Sequence, residues 1–357
     1  MKVIMTGGGT GGHIYPAIAI ADEIKRRNPD AEILFVGTQR GLEREIVPKA
    51  GYQIKFITVS GFNRKKIWKN IKTLSDLNKG LHASKKIIEE FQPDIVIGTG
   101  GYVCGPVVRT AAKMGIRTFI HEQNAFPGMT NKILSRSVER VFLAFDEAKQ
   151  YFDKHAETLT VGNPVRAAFR EVTREEAREA LGISQDEFVV LSFGGSLGAP
   201  AINEQMKSAV ERFNGVKGIR LFFVTGKGYY DTVGALDTEN VKYLKYIDDM
   251  PKYLAACDVA ITRAGALTVS EITACGRAAI MIPSPYVTNN HQYYNAKVVA
   301  DQGGAVLIEQ KDVKKGEVAE IIASLLNDRE KIREMEAASH AIGRTDAASV
   351  ICSTIGV

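Results

Sequence analysis

The stretch of sequence that decides the fold opens the chain, where residues 2–13 read KVIMTGGGTGGH. Its apolar run is typical of a strand buried on both faces, and its glycines predict a tight turn from that strand into a helix. The same device recurs at residues 188–199, which read FVVLSFGGSLGA. Two such strand–turn–helix starts in one chain predict two α/β domains.

Short β-rich runs alternate with longer amphipathic stretches along the rest of the chain, as in proteins built from βαβ units. We therefore predict an α/β protein with two parallel sheets. The turn signal Gly162-Asn163-Pro164 separates a first domain, residues 1–163, from a second, residues 164–340, and Lys331–Val357 is predicted to be helical. The predicted strands are Lys2–Thr6, Ala31–Gly37, Ile54–Val59, Asp94–Gly98, Arg117–His121 and Arg140–Phe145, then Phe188–Phe193, Arg220–Thr225, Val241–Ile247, Val259–Thr262, Ala278–Pro283 and Ala305–Ile308.

Composition argues against several classes of protein. The 357 residues are 45% hydrophobic and 24% charged, which is ordinary for a globular chain and enough for two cores. No apolar run approaches the ~20 residues that span a bilayer, and the apolar start is too short for a signal peptide. The cysteines form no Cys-x-x-Cys pair, which argues against structural zinc or a disulfide framework and favours the cytoplasm; they are Cys104, Cys257, Cys275 and Cys352.

Glycine-rich turns that lead into helices predict an anionic ligand, because backbone N–H groups and the helix dipole converge there. Gly7, Gly9 and Gly12 also match the dinucleotide fingerprint, but the second predicted strand ends in Gly37-Thr38, without the acidic residue that holds a ribose in NAD enzymes. The chain has no Walker lysine motif and no Asp-x-Asp pair. We therefore expect neither a P-loop NTPase nor a metal-bound diphosphate.

Residues 194–198 allow a second interpretation, because GGSLG matches the Gly-x-Ser-x-Gly nucleophile elbow of α/β-hydrolases. Asp258 and His291 could then complete a triad. This alternative does not account for the first glycine loop. In the preferred interpretation, the hydroxyl and N–H of Ser196 contact a phosphate.

Three further positions place polar side chains at strand ends or helix starts. His13 lies on a first helical turn, where the dipole favours a neutral ring; it is either a general base or a packing residue. His121-Glu122-Gln123-Asn124 is either a polar site at the carboxyl edge of a sheet or a satisfied turn. Glu271 is placed to accept two ribose hydroxyls, or it only complements a helix dipole.

Taken together, seven motifs in order resemble the MurG family of bacterial glycosyltransferases. They are GGTGGH at 8–13, GGYVCGP at 100–106, HEQN at 121–124, GNPVR at 162–166, GGSLGA at 194–199, RAGALTVSE at 263–271 and HQYYN at 291–295. The resemblance implies a GT-B fold, with two Rossmann-like domains facing across a cleft and a final helix, about 341–357, that packs back on the first domain. It implies an inverting transfer of GlcNAc from UDP-GlcNAc to the 4-hydroxyl of the muramoyl sugar of lipid I, giving lipid II and UDP.

The same resemblance implies roles for individual residues, with no cofactor and no metal ion. His13 is the expected general base, and Tyr102 and Glu122 shape the acceptor side. The expected donor contacts are Thr10, Gly11 and Gly12 in the first loop, Asn124 at the GlcNAc, Arg166 and Ser196 at the diphosphate, Ile247 at the uracil through its backbone, Ala266, Leu267 and Thr268 at the diphosphate through helix-start N–H groups, Glu271 at the ribose, and Gln292 and Asn295 at the sugar hydroxyls.

A basic segment carries most of the charge asymmetry. Residues 1–163 have a net charge of +8 and the remainder −3, and residues 64–86 alone contribute +7. At helical spacing, Ile67, Ile71, Leu74 and Leu81 share one face and Lys65, Lys69, Lys72 and Lys79 lie roughly opposite, with Trp68 between. This pattern predicts either an anionic membrane surface or an ordinary helix with its apolar stripe in the core. Because the implied acceptor is membrane-anchored, we predict peripheral binding at the cytoplasmic face of the cell membrane, and no nucleic-acid partner.

Other functions remain open from sequence alone. A different GT-B lipid glycosyltransferase, such as one acting on diacylglycerol, has the same architecture. A UDP-sugar-binding protein without turnover shares the glycine loops, although His13 and Glu271 argue for catalysis. A dehydrogenase is disfavoured by the end of the second strand.

Overall fold

A computed structural model describes residues 1–61, 70–195, 197–232 and 237–357. Its strands are β1 Lys2–Thr6, β2 Glu32–Gly37, β3 Gln53–Phe56, β4 Ile95–Gly98, β5 Arg117–Glu122, β6 Arg140–Leu143, β7 Thr158–Thr160, β8 Phe188–Phe193, β9 Ile219–Val224, β10 Val241–Leu244, β11 Val259–Thr262, β12 Ala278–Met281 and β13 Ala305–Leu307. Its helices are α1 Gly11–Arg27, α2 Glu43–Lys49, α3 Asn70–Phe91, α4 Cys104–Lys113, α5 Met129–Leu134, α6 Ala168–Glu171, α7 Arg174–Leu181, α8 Pro200–Phe213, α9 Met250–Ala256, α10 Ala266–Ala274, α11 His291–Asp301, α12 Glu317–Asn327, α13 Arg329–Ile342 and α14 Ala347–Ile355.

Two parallel sheets carry the fold. The first has the order β3-β2-β1-β4-β5-β6-β7 and the second β10-β9-β8-β11-β12-β13. Both sheets are doubly wound: the chain adds strands on one side of the first strand and then on its other side. The strand order therefore reverses at the β1–β4 boundary in the first sheet and at the β8–β11 boundary in the second. The expectation of two Rossmann-like parallel-sheet domains is confirmed. Ligands of such sheets bind outside the carboxyl ends of the strands at these boundaries, so the loops after β1, β4, β8 and β11 are where a site is expected.

All twelve predicted strands are present, with bounds that differ by a few residues at their ends. A thirteenth strand, β7, is an addition to the prediction, which placed only a turn signal near it. Its three residues pair with β6 through Val141 and Thr158, Phe142 and Leu159, and Leu143 and Thr160. So short a run has no periodicity of its own, and the neighbouring edge of the sheet decides its conformation.

Buried strands explain why the sheets are covered on both faces. In β1, Val3 and Met5 join one apolar cluster with Phe35 and Ile97, while Ile4, between them, joins a second cluster on the opposite face. Successive side chains of a strand point to opposite faces, so an unbroken apolar run requires two covering layers. The second sheet has a corresponding cluster around Phe188, Val190, Leu221 and Ile261.

The chain divides into two compact units. One consists of Met1–Val165 together with Asp346–Val357, and the other of Arg166–Thr345. Within the first unit, Ile351, Cys352 and Ile355 of α14 lie in the same apolar cluster as Ile20 and Ile24 of α1. The terminal helix thereby completes the core of the first unit.

The C-terminal segment differs from the single helix predicted over Lys331–Val357. The structure has two helices there, α13 and α14, which are separated at Gly343. Gly343 is extended and lies so close to the Thr273 carbonyl oxygen that a Cβ would collide with it. The break therefore depends on a tertiary contact, which helical periodicity does not reveal.

The helix predicted in the basic segment is present as α3, but much of the segment is not described. Ile67, Trp68 and Lys69 lie outside the described residues, and the side chains of Ile71, Lys72 and Leu74 are not described either. Leu81 is half-buried and Lys79 is exposed. Among the described residues, no helix is both long and apolar enough to cross a membrane.

Candidate active site

The first glycine loop holds a histidine in a defined tautomer. His13 is the third residue of α1, directly after the turn that ends β1, and its Nδ1 lies 3.0 Å from the Gly8 carbonyl oxygen. A carbonyl oxygen can only accept, so Nδ1 must carry the proton in the neutral ring. The lone pair is consequently on Nε2. The site thus presents an imidazole with its basic nitrogen directed away from the backbone contact, which suits a general base.

A second glycine pair closes against this loop after β4. The Gly8 N–H donates to the Gly100 carbonyl oxygen at 3.3 Å, and Gly101, at a φ of +87°, packs against the Gly8 carbonyl too closely for a Cβ. A Cβ at Gly100 would lie 3.0 Å from His13 Nε2. The motif at 100–106 therefore shapes the space beside the histidine, and Tyr102, 62% exposed, lies on the same loop.

In the first glycine loop, the N–H of Gly9 has an internal acceptor. The Gly9 N–H donates at 2.9 Å to a carboxylate oxygen of Glu43, the first residue of α2, and this side chain is 1% exposed. The ligand contacts expected at Thr10, Gly11 and Gly12 of the same loop stay predictions. The first N–H groups of α1, at Gly11 and Gly12, receive no capping bond from the Thr10 side chain.

The His-Glu-Gln-Asn motif is mostly an internal network. His121 is fully buried, donates from Nε2 to the Gly162 carbonyl oxygen at 2.9 Å and accepts the Gln123 amide at Nδ1. Desolvation by burial lowers the pKa of His121 to about 4, so the ring is neutral at physiological pH. Glu122 is 2% exposed and accepts from four donors: the N–H and side-chain amide of Asn124, the Gly128 N–H and the Asn131 amide.

These contacts favour a positioning role for Glu122 and leave Asn124 as the motif's most accessible member. Asn124 is half-buried and held by Glu122 at the carboxyl edge of the first sheet. The alternative of a satisfied turn describes His121 well, whereas the side-chain oxygen of Gln123 is buried with no hydrogen-bond partner among the described residues. Gln123 donates to the Thr99 carbonyl oxygen at 2.7 Å and so ties the end of β5 to the end of β4.

The second unit contains a cleft of about 500 Å³ at the carboxyl ends of β8 and β11. Of the predicted donor residues, Thr268 and Gln292 line it, and glycines on both sides of Ser196 line it as well, although Ser196 lies outside the described residues. The lining residues are Gly194, Gly195, Gly198, Ala199, Pro200, Ala201, Thr262, Arg263, Gly265, Thr268, Ser284, Tyr286, Gln292 and Gln310.

The start of α10 borders this cleft. Its N-cap is Gly265, which has no capping side chain, and the first turn, Ala266, Leu267 and Thr268, contains no acidic residue. No carboxylate in the first turn of α10 therefore offsets the positive end of its helix dipole. The diphosphate contact at Ala266, Leu267 and Thr268 stays a prediction.

Arg263 is a cation in this cleft to which sequence reasoning assigned no role. Its guanidinium donates to the carbonyl oxygens of Ile282 and Pro283 and to the Gln310 side chain, at 2.7 to 3.1 Å. Across the described ranges it forms no ion pair with a carboxylate, so its positive charge is not neutralised from within. Desolvation lowers the pKa of Arg263 below its ordinary value. The signal that could have found it is a lone arginine directly after a buried strand.

Glu271 and Arg166 interact electrostatically. Glu271, on α10, is half-buried; desolvation raises the pKa of its carboxyl to about 7, and the charge of Arg166 opposes that rise. Arg166 is exposed and its guanidinium lies 5.0 Å from the centre of the Phe169 ring. A carboxyl group whose pKa is raised to near neutrality is more common at functional positions than elsewhere.

The remaining predicted donor residues have structural contacts of their own. Gln292 accepts the Ser284 N–H at 2.9 Å, which still leaves its amide NH₂ at the cleft. Asn295 is fully buried and donates to the Ala264 carbonyl oxygen at 3.1 Å, so its described contact holds the loop before α10. Ile247 is 6% exposed beyond the end of β10. All three residues therefore lie toward the carboxyl ends of the strands of the second sheet.

The geometry removes the hydrolase alternative. Asp258 precedes β11 and accepts the Val189 N–H at 2.6 Å, which places it at the amino end of β8. The glycine-rich turn is at the carboxyl end of that strand, roughly 15–20 Å away at about 3.3 Å per residue. Asp258 is instead engaged with Arg178, at 2.8 Å, in a buried ion pair. A Ser196–His291–Asp258 triad therefore cannot form in this unit.

No metal centre is evident in the residues that the structure describes, since they contain no group of three or more His, Cys, Asp or Glu side chains arranged to hold an ion.

Comparison with known proteins places both units in one family. Residues 3–143 match the glycosyltransferase family 28 N-terminal domain, and residues 189–351 match its C-terminal domain. The chain is 47% identical to a UDP-N-acetylglucosamine–N-acetylmuramyl-(pentapeptide) pyrophosphoryl-undecaprenol N-acetylglucosamine transferase of Acetivibrio thermocellus, over 99% of this chain and 97% of that protein. A protein of the same name from Alkaliphilus oremlandii is also 47% identical, over 99% and 98%. The crystal structure of Acinetobacter baumannii MurG superposes with a TM-score of 0.80 at 28% identity, covering 99% of each chain.

Proposed function

The chain belongs to glycosyltransferase family 28, and from this membership we infer that it is a UDP-GlcNAc-dependent N-acetylglucosaminyltransferase of peptidoglycan synthesis. It moves GlcNAc from UDP-GlcNAc to the 4-hydroxyl of the muramoyl sugar of lipid I and yields lipid II and UDP, with inversion at the anomeric carbon. The acceptor is supported by two relatives that are 47% identical over 99% of this chain and are named for this transfer.

The observation that carries the proposal is the tautomer of His13. With Nδ1 donating to Gly8, Nε2 is the atom that accepts the proton of the acceptor hydroxyl as that oxygen attacks the anomeric carbon. The bond from the anomeric carbon to the UDP oxygen breaks in the same displacement, and UDP leaves. General-base assistance of this kind contributes ~10²–10⁴-fold.

Stabilisation of the departing diphosphate is the second contribution. We assign it to the N–H groups at the start of α10 together with Arg166, and Ser196 remains a predicted contact. The charge of Arg263 in the same cleft adds to the potential that stabilises the negative charge that UDP gains when its bond to the anomeric carbon breaks. Preorganised donors aimed at developing charge are worth about 2.7–4 kcal/mol each in other enzymes. The half-buried Glu271 carboxyl is assigned to the ribose hydroxyls.

The test is UDP release by the full chain from UDP-GlcNAc, with and without a lipid I analogue. His13→Ala should lower kcat by ~10²–10⁴-fold and leave the Kd for UDP-GlcNAc within twofold. His82→Ala is the matched control, because His82 also bonds a backbone carbonyl through Nδ1, at 2.9 Å to Asn78, but lies on α3 away from the loop. Unchanged turnover in His13→Ala removes His13 as the base.

The same assay separates the competing functions. UDP release that depends on diacylglycerol rather than on the lipid I analogue would indicate the other type of lipid glycosyltransferase. Binding of UDP-GlcNAc without any acceptor-dependent UDP release would indicate a binding protein. Because the relatives agree on one acceptor, we expect release with the lipid I analogue alone.

We also propose that the chain binds peripherally to anionic lipid at the cytoplasmic face of the membrane through Ile67, Trp68, Lys69, Ile71, Lys72 and Leu74. The proposal is supported by the charge of residues 64–86 and by the lipid-linked acceptor. In the described part of α3, Lys85 and Lys86 each lie within 3.9 Å of a glutamate one turn later, Glu89 and Glu90.

Co-sedimentation with vesicles tests this surface. A variant with Lys65, Lys69 and Lys72 changed to glutamate should lose more than about 100-fold in affinity for anionic vesicles, since each basic residue near such a surface contributes about 1 kcal/mol and each change also adds a negative charge. The control carries the same three changes at exposed lysines of the second unit, Lys207, Lys217 and Lys311. Equal binding of the parent chain to neutral and anionic vesicles would contradict the electrostatic part.

A further inference from the structure

Glu43 is a buried carboxylate whose acceptor positions are directed at the first glycine loop and its surroundings. One carboxylate oxygen accepts the Gly9 N–H at 2.9 Å, and the other accepts the N–H and hydroxyl of Thr38 at 2.9 and 2.7 Å. The side chain occupies space that glycines leave open, because a Cβ at Gly8 or Gly41 would collide with the carboxylate. The loop is therefore built around this group.

No cation neutralises Glu43 within the described ranges, where it forms no ion pair with a lysine, arginine or histidine. A carboxylate that is 1% exposed and stabilised only by two N–H groups and one hydroxyl is costly to bury. Its charge also acts on the Cys104 thiol, which stays neutral because burial raises its pKa to about 12. A packing role alone would be met at lower cost by a neutral side chain.

One peptide group connects Glu43 to His13. The carbonyl of the Gly8–Gly9 peptide accepts from His13 Nδ1, and the N–H of that same peptide donates to Glu43. The described chain contains no cis peptide bond. The C=O and N–H of the planar Gly8–Gly9 peptide therefore point in opposite directions, one toward His13 and the other toward Glu43. A negative charge at the N–H end polarises the amide and makes its oxygen a stronger acceptor.

We propose that Glu43 is a positioning residue for the transfer reaction, acting on the His13 imidazole through the Gly8–Gly9 peptide. It fixes the orientation of the peptide, locks the proton on Nδ1, and stabilises the charge that the ring acquires when Nε2 takes the hydroxyl proton. This inference rests on the proposed role of His13 as the base. The arrangement is equivalent to a carboxylate–histidine pair with one amide inserted between the partners.

The other groups that face the His13 ring carry no negative charge. The Thr10 hydroxyl lies 3.5 Å from Nδ1, and the backbone of Gly100 lies beside Nε2. Each of these groups is neutral. Among the described neighbours, Glu43 is therefore the source of negative charge that reaches His13 through hydrogen bonds.

The experiment is a double-mutant cycle of Glu43→Gln and His13→Ala, read by UDP release with a lipid I analogue. Glu43→Gln keeps the shape of the side chain and removes its charge. We expect it to lower kcat about tenfold, to leave the KM for UDP-GlcNAc within twofold, and to move the acid limb of the pH–rate profile to lower pH. In the His13→Ala background, Glu43→Gln should lower kcat by less than twofold. Thr38→Val, which removes one bond to the same carboxylate but spares the Gly9 contact, should move neither kcat nor the profile.

The outcomes distinguish failure of the positioning role of Glu43 from failure of the base role of His13. An equal fold-loss for Glu43→Gln in both backgrounds, or an acid limb that does not move, overturns the positioning role while the base assignment stands. Full turnover in His13→Ala overturns the base assignment itself.

A second measurement is made on the parent protein and does not depend on activity. The ¹⁵N chemical shifts of the neutral His13 ring, assigned by their loss in His13→Ala, should show protonated Nδ1 only. A ring protonated at Nε2 would show that His13 does not donate to Gly8 and would overturn the inference.

Discussion

Glu271 should make UDP-GlcNAc binding depend on pH near neutrality. The carboxyl is half-buried on α10 and its pKa is raised to about 7 by desolvation. The carboxylate form of Glu271 is the better acceptor for two ribose hydroxyls. UDP-GlcNAc that binds this form should therefore bind more weakly as Glu271 becomes protonated. With a pKa of about 7, roughly nine-tenths of the groups are ionised at pH 8 and roughly one-tenth at pH 6. The Kd for UDP-GlcNAc should therefore rise about tenfold between pH 8 and pH 6.

Isothermal titration calorimetry with UDP-GlcNAc is the assay, because the diphosphate diester has no proton that titrates in this range. Glu271→Gln should bind more weakly than the parent at pH 8 and show a Kd that is constant to within twofold across the range. Arg166→Ala should move the midpoint of the pH dependence upward, since the Arg166 charge lowers the pKa of this carboxyl. A parent Kd that is constant between pH 6 and pH 8 would refute the reasoning.

The same shift predicts a stability effect of defined sign. The folded state holds the Glu271 proton up to a pH of about 7, whereas the unfolded chain releases it near the ordinary value of 4.5. Stability is therefore lost as the pH rises from 4.5 through 7. Glu271→Gln should be more stable than the parent at pH 8, by at most about 3 kcal/mol, and equal to it near pH 4. Thermal melts at the two pH values check this difference.

Three further outcomes follow from the described contacts. Asp258→Ala leaves Arg178 without its buried partner and should lower the free energy of unfolding by about 3–5 kcal/mol in urea titrations, while the Kd for UDP-GlcNAc stays within twofold; weaker binding at unchanged stability would contradict this placement. Arg27→Ala removes the guanidinium bonds to the Ser349 and Val357 carbonyl oxygens and should speed amide hydrogen exchange in α14 at least tenfold but not in α10; equal exchange in both helices would contradict that anchoring. Turnover should be unchanged in excess EDTA, because charge on the diphosphate is assigned to helix N–H groups and arginines; loss of activity that Mg²⁺ restores would contradict it.

Much of the candidate site could be predicted because its residues follow strands or begin helices. His13 and Glu271 are examples, since a buried strand, a turn and a helix start are all visible in the sequence and fix where such a side chain lies on the sheet. Arg263 carried the same signal, a cation directly after β11, but its lack of a carboxylate partner emerges only when its neighbours from β12 and from the chain after β13 are known.

Other features depend on contacts between distant parts of the chain. Glu43 is indistinguishable in sequence from an ordinary acidic residue at a helix start, and only the fold places it against Gly9, 34 residues earlier. Asp258 was a plausible triad member until the sheet placed it at the opposite end of β8. The break at Gly343 requires the nearby Thr273 carbonyl, and β7 requires the edge of β6.

By itself, the sequence determined the two parallel-sheet units, the strands that build them and the loops at their carboxyl ends. These follow from local apolar runs and glycines, whose physical effect is confined to a few residues. Only the tertiary structure decided what fills the space around the first glycine-rich turn. There the Gly9 N–H donates to the buried carboxylate of Glu43, which lies 34 residues later in the chain. Which distant side chain fills such a space depends on the fold, and a local pattern of glycines does not contain that information.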